Sequence, residues 1–145
     1  MAYSTKLSDA LHLLVFVHEQ QGSDLSSEAI AASLAANASS VRQMMGRLRR
    51  ARLIESVVGH AKPRLARDPE HVTMLDVYRA VEGDKPLLHW DTHTNPQCGL
   101  GVNVQVVIGE MFDDVQRQAE AAMAEVTLRR IIDEYRSRID ERAGS

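Results

Sequence analysis

Apolar positions recur with a helical period along most of this chain, and the clearest instance lies between Asn37 and Ile54, NASSVRQMMGRLRRARLI. Val41, Met44, Met45 and Leu48 fall at i, i+3, i+4 and i+7, one apolar stripe on a helix. Ser39, Ser40, Arg42, Gln43, Arg47 and Arg50 take the other faces. Asn37 is placed to cap the first turn, because its side-chain oxygen can accept an orphan N–H. Such a helix shows a core its Val, Met and Leu, and shows the outside Ser, Gln and Arg. Those polar types can read base edges in a major groove and hold phosphates. A plain solvated face has the same composition, so the flanking elements decide.

The same period predicts a helix from Ser4 to about Gln20, capped by Ser4 or Thr5, with Leu7, Ala10, Leu11, Leu14 and Val15 inward and Phe16 or Val17 flanking. A short Ala-rich helix follows over Ser26–Leu34, with Glu28 in its first turn, where the helix dipole favours an acid. Ala35-Ala36-Asn37 then turns into the polar-faced helix. A buried helix, a short helix, a tight turn and a polar-faced helix make a helix-turn-helix. Next, Ile54–Val58 and Arg64–Arg67 read as strands around the loop Gly59–Pro63, a hairpin of the size and place of a wing. Pro63 removes a ladder donor, so the hairpin is expected to be short. Asp68-Pro69-Glu70 is a turn, and Thr73 caps a helix over Met74–Val81 that Gly83 stops.

Gly83–Gly101 reads as irregular linker, and from about Val102 a long helix begins. Val104, Ile108 and Met111 recur eleven residues on as Val115, Ala119 and Ala122, and Val126 begins a third round. That is a continuous apolar seam about 30 Å long at 1.5 Å per residue. A seam of that length suits a partner copy, so these seven residues are the expected dimer contact; packing along the chain's own first helix is the alternative. Thr127 caps a last helix, to about Ile139. The expected fold is therefore mainly α with a small β wing. Residues 1–82 form a winged helix-turn-helix domain, 83–101 a linker and possible sensor loop, and 102–145 a long dimerisation helix with a C-terminal helix.

Charge sharpens this picture. Between Ala38 and Arg67 stand eight basic residues and one acid, a net +7, which leaves −10 for the rest of a chain whose total is −3. Segregation of that kind steers a polyanion better than the total charge suggests. The chain has no apolar run of about 18 residues and no signal-peptide pattern, from which a cytoplasmic protein with no membrane partner is expected. It has no Gly-rich phosphate loop and no paired nucleophile and base, so an enzyme is not expected and no cofactor is assigned.

The linker holds the remaining chemistry. Cys98, the only cysteine, lies near the start of the long helix, where the dipole favours a thiolate. It is a candidate oxidant or electrophile sensor; the alternative is a small buried apolar residue. His89, Asp91, His93 and Cys98 have spacings that could hold a soft metal. No second CxxC or HxxH supports this, so no metal site is assigned.

Three stretches carry a family resemblance: LSDALHLLVFVH; SSEAIAASLAANASSVRQMMGRLRRARLIES; and LARDPEHVTMLDVYRAVEG, with NPQCGLG and the long helix completing it. The chain resembles the Rrf family of winged-helix transcriptional regulators, the group of IscR, NsrR and CymR, and in particular its YwnA-like members. The resemblance spans nearly the whole chain. Two departures stand out: GHAKPR replaces the usual Gly-rich wing loop, and one cysteine stands where cluster-binding members carry three. The resemblance implies a homodimer on a near-palindromic operator of double-stranded DNA, read as a repressor whose effector is not specified. Ser39, Ser40, Arg42 and Gln43 are then expected at base edges or adjacent phosphates. Arg47, Arg50, His60, Lys62 and Arg64 are expected at phosphates or in the minor groove, and Tyr3, Ser4, Thr5 and Lys6 at the backbone. The competing reading is a dimeric protein-interaction module of winged-helix fold without sequence-specific DNA binding.

Overall fold

The computed structural model describes residues 4–56 and 62–144. Its elements run α1 (Lys6–Glu19), α2 (Ser27–Leu34), α3 (Ala38–Arg50), β1 (Ile54–Ser56), β2 (Pro63–Leu65), a 3-10 turn (Pro69–His71), α4 (Met74–Glu82), α5 (Gly99–Glu125) and α6 (Leu128–Ala143). The architecture is the expected one, mainly helical with a two-stranded antiparallel wing.

One aliphatic core holds it together. Ala10, Leu13, Leu14 and Val17 from α1 meet Ile30 of α2, Val41, Met45 and Leu48 of α3, Leu53, Ile54 and Val72, Val77 and Val81 of α4, and Leu128 and Ile132 of α6. The stripe of α1 is rotated from the expected one. Leu13 and Val17 are fully buried, while Leu7, Leu11 and Val15 only flank the core. Six Leu and Val in eleven positions, with Phe16 among them, give α1 more than one apolar face, so period alone did not choose between them.

Local chemistry sets the boundaries. Asn37 accepts the N–H of Ser40 at 2.8 Å and starts α3. Thr73 and Asp76 form a reciprocal capping box at the start of α4, and Gly83, at φ 63°, ends it. Thr5 occupies the cap position of α1 without capping it; its hydroxyl donates to Asp9 at 3.1 Å. Pro63 lies in β2, opposite Ser56, and not in the loop. It is buried, and a position at the strand's start tolerates the missing donor.

The linker is a strap that climbs α5 in reverse. The Leu87 N–H donates to Gln116 Oε1 and the Asp91 N–H to Gln105 Oε1. Trp90 lies against Gly109, where a Cβ would come within 3.1 Å of the indole. α5 starts at Gly99, earlier than expected, because Cys98 caps it. It spans 27 residues, about 40 Å. It ends at Glu125, so Val126 is outside the helix, with its carbonyl accepting the Met74 N–H at 2.8 Å. Leu128 N–H returns the pairing to the Val72 carbonyl. That backbone clasp reverses the chain and seats α6 on α1, where Arg136 makes a two-pronged ion pair with Glu19 at 2.7 and 3.0 Å.

Candidate nucleic-acid interface

α2, the turn and α3 present one polar surface. α2 ends with Ala35 in the left-handed region, φ 52°, and the Ala36 N–H bonds back to the Ala31 carbonyl. This closes the helix in the pattern usually made by glycine and aims the chain into α3. On α3 Val41, Met45 and Leu48 are buried and Met44 is half-buried, and Ser39, Ser40, Arg42, Gln43, Arg49 and Arg50 are exposed. Their side chains carry hydroxyl, amide and guanidinium groups, which suit hydrogen bonding to base edges and phosphates.

The basic residues divide by their partners. Arg47 is half-buried and donates to the Val81 carbonyl at 2.9 Å, tying α3 to the end of α4. Arg67 reaches the Ala51 and His71 carbonyls and the Asp76 carboxylate, and so braces the wing's exit. Arg64 pairs with Glu55 across the wing at 2.8 Å, and it sits within β2 and not at the hairpin tip. Arg42 Nη1 lies 3.4 Å from Glu28 Oε1 on α2. Ser4 donates to Glu82, which links the start of α1 to the end of α4, and Thr5 is occupied with Asp9. Lys6 is half-buried. Tyr3 and His60 lie outside the described residues.

A concave site of about 520 Å³ opens between the start of α2, the flank of α3 and the wing, lined by Asp24, Leu25, Ser26, Ser27, Arg42, Met45, Arg49 and Lys62. Asp24 accepts the Ser26 N–H at 2.9 Å, and that bond, the Ser26 hydroxyl and then Lys62 hold its carboxyl below the usual carboxylate range. Arg42, Arg49, Lys62 and the positive end of α2 face the same hollow, an arrangement that suits a phosphate. Arg49 and Ser27 were not among the residues expected at DNA. Arg49 stands seven residues after Arg42, two helical turns on the same face, and that spacing was the available signal.

Away from this surface, α5 carries two faces. Gln105, Gly109, Gln116 and Glu120 meet the strap and α4, and Met123 further along is buried. Roughly opposite them, at 100° per residue, Val104, Val107, Met111 and Val115 are exposed, Met111 by 62 %. Ala122 is also exposed, and Ile108, Ala119 and Val126 are half-buried. Most of the expected seam therefore points away from the chain's own core. At the helix start Cys98 is exposed, not a buried apolar residue, and its sulfur accepts the Gly101 N–H at 3.3 Å. His89, His93 and Cys98 do not converge; among the described residues no three His, Cys, Asp or Glu side chains form a metal-binding group. No described helix is long and apolar enough to cross a membrane.

Comparison with known proteins agrees with this geometry. The profile of the Rrf2 family, described as iron-dependent transcriptional regulators, matches residues 3–134. YwnA of Bacillus subtilis, named as an HTH-type transcriptional regulator, is 32 % identical over 129 residues, covering 89 % of this chain and 96 % of YwnA. A crystal structure described as a DNA-binding protein superposes with a TM-score of 0.72 at 31 % identity, covering 88 % of this chain and 98 % of the other. CymR, the global cysteine regulator of B. subtilis, shares the fold at a TM-score of 0.64 and 19 % identity over 92 % of this chain and 97 % of its own.

Among the described residues the iron named in the family description finds no matching donor set. One cysteine cannot supply the thiolates of an iron–sulfur cluster from a single chain, and the linker histidines stand apart. What the chain shares with its relatives is the fold and the sequence match over most of its length. The chain belongs to the Rrf2 family of DNA-binding transcriptional regulators and is not an enzyme.

Proposed function

We propose that this regulator represses transcription as a homodimer seated on a near-palindromic operator, and that oxidation of Cys98 weakens its hold. The observation that carries the reading is the pairing of two uncovered surfaces: the polar face of α3 and the apolar face of α5. Two copies joined along α5 would present two α3 helices, and dimeric helix-turn-helix proteins place half-sites about 34 Å apart, or multiples of that. Residues 1–82 carry the DNA contacts, 83–101 the strap with Cys98, and 102–145 the dimer contact, with α6 also completing the core. Ser39, Ser40, Arg42 and Gln43 read bases or hold the adjacent phosphates. Arg49, Arg50 and Lys62 clamp phosphates; Arg64 and His60 serve the wing, and Tyr3, Thr5 and Lys6 the backbone beside α1.

Cys98 supports the redox part by its place. It caps the helix that the dimer would share, and it is open to solvent. A peroxide would convert the thiol to a sulfenic acid with loss of water, and a second thiol, such as the partner's Cys98, would close a disulfide with loss of another water. Either product removes the sulfur from its bond to Gly101 N–H and disturbs the start of α5.

One experiment tests the whole. Random duplexes about 30 base pairs long, three turns of DNA, are selected with reduced protein, with peroxide-treated protein and with Cys98→Ser, and the mass of each complex is measured. The reading expects a symmetric site, two chains per duplex, and weaker recovery only for oxidised wild type. No enrichment at low salt would sink the DNA reading, one chain per duplex the dimer, and equal peroxide sensitivity of Cys98→Ser the sensor.

A further inference from the structure

An acid beside a DNA-reading surface is costly, because it repels the phosphates that supply most of the affinity. Glu28 is such an acid. It stands in the first turn of α2, and its side chain is 72 % exposed next to a recognition helix that carries no acid. Its carboxylate lies 3.4 Å from Arg42 Nη1, and Arg42 is itself 59 % exposed. In water a pair this open contributes little to stability, so the fold does not explain it. The helix start would tolerate a glutamine at the same place.

We propose that Glu28 is a positioning residue for DNA recognition: it holds the guanidinium of Arg42 in the direction from which Arg42 reads a guanine. This rests on the reading of α3 as the base-contacting helix. The stoichiometry of the group fits. A guanidinium has five N–H donors in a rigid fork; two meet guanine O6 and N7, and one on the far side remains for a carboxylate. A free arginine loses much side-chain entropy on docking, and a carboxylate on a neighbouring helix restricts it beforehand. Docking excludes water from the contact, which strengthens the Arg42–Glu28 attraction. Where the sequence is wrong, Arg42 does not engage, and the charge of Glu28 remains as repulsion against the phosphates. One carboxylate thus favours the right site and disfavours the others.

The test uses the whole 145-residue chain and the duplex selected above, with single-base variants at each position and a random duplex as the reference. Glu28→Gln is expected to bind the random duplex roughly threefold more tightly at low salt, since one repulsive charge is gone. It is expected to lose roughly fivefold of its discrimination at one base pair, the low end of what a bidentate arginine–guanine contact supplies. Arg42→Ala loses discrimination at the same base pair, and the double variant is no worse there than Arg42→Ala alone. Glu28→Asp restores part of the discrimination. Because aspartate also keeps the acid that the helix start favours, equal denaturant midpoints for wild type and Glu28→Gln are expected and separate positioning from a change in helix stability. The proposal is overturned if Glu28→Gln keeps full discrimination at every position, or if its effect persists unchanged beside Arg42→Ala. Failure of wild type to prefer any sequence would instead overturn the reading of α3 itself.

Discussion

Among single residues, the arginines of α3 show how far identity is from role. Arg42, Arg47, Arg49 and Arg50 share one helix and one charge, yet their environments separate them. Arg47 is half-buried with its guanidinium on the Val81 carbonyl, where it satisfies one of the last carbonyls of α4. Its removal leaves that acceptor without its charged donor. Arg47→Ala is therefore expected to lower the unfolding free energy by about 1 kcal/mol, and to weaken DNA binding mainly through the displaced helix. Denaturant unfolding read beside DNA affinity checks this; unchanged stability with lost affinity would return Arg47 to the DNA contacts. The residue types of the surface were legible in the sequence: Ser39, Ser40, Arg42 and Gln43 fell on the outer face because Val41, Met45 and Leu48 fixed the inner one. The partners were not legible. Glu28 is fourteen residues from Arg42 and Val81 is thirty-four from Arg47, and no local pattern encodes an ion pair or a carbonyl contact at that range.

For whole elements, what the sequence revealed depends on how the element ends. Helices with polar caps were placed to within a residue, as with Asn37 before α3, Ser26 before α2 and Thr73 before α4. Cys98 is a poor capping type, so the start of α5 was placed three residues late. The end of α2 carries no glycine at all. Ala35 takes the left-handed conformation there, and so does Arg52, φ 60°, after α3, where the Leu53 N–H closes onto the Leu48 carbonyl. A non-glycine residue in that region costs about 1–2 kcal/mol, partly offset because glycine is more flexible when unfolded. Ala35→Gly is accordingly expected to stabilise the protein by about 0.5–1 kcal/mol, seen as a rise of a few degrees in Tm. A fall in Tm would mean that the Ala35 methyl makes contacts worth more than the strain. The substitution lies in the turn that aims α3, so DNA affinity measured in parallel also reports whether that aim depends on alanine's stiffness.

The whole molecule is held by a long-range closure that periodicity could not show. α5 carries the chain about 40 Å away from Cys98, and the clasp of Val126 and Leu128 on Met74 and Val72 brings it back. α6 then fills the core beside α1 with Leu128 and Ile132. At the outer end of that contact, Glu19 and Arg136 join residues 117 apart in sequence. The hydrogen bonds from Arg136 hold the Glu19 carboxyl below the usual carboxylate range; burial of Glu19 opposes this, and the charges of Arg136, His18 and Arg129 add to it. The unfolded chain has no such partner, so its Glu19 titrates at the ordinary value. Folding then binds fewer protons than unfolding through that window. The contribution of the pair is complete above the ordinary carboxylate pKa and is lost as pH falls through the lowered one. Glu19→Gln is expected to be less stable than wild type at pH 7, and the difference is expected to shrink as pH falls through the carboxylate range, because protonation removes the same charge. Both proteins must be compared at one concentration, since a dimer adds a mass-action term to stability. A difference that stayed constant with pH would place the role of Glu19 in packing, and the closure of α6 would then rest on Leu128, Ile132 and the backbone clasp alone.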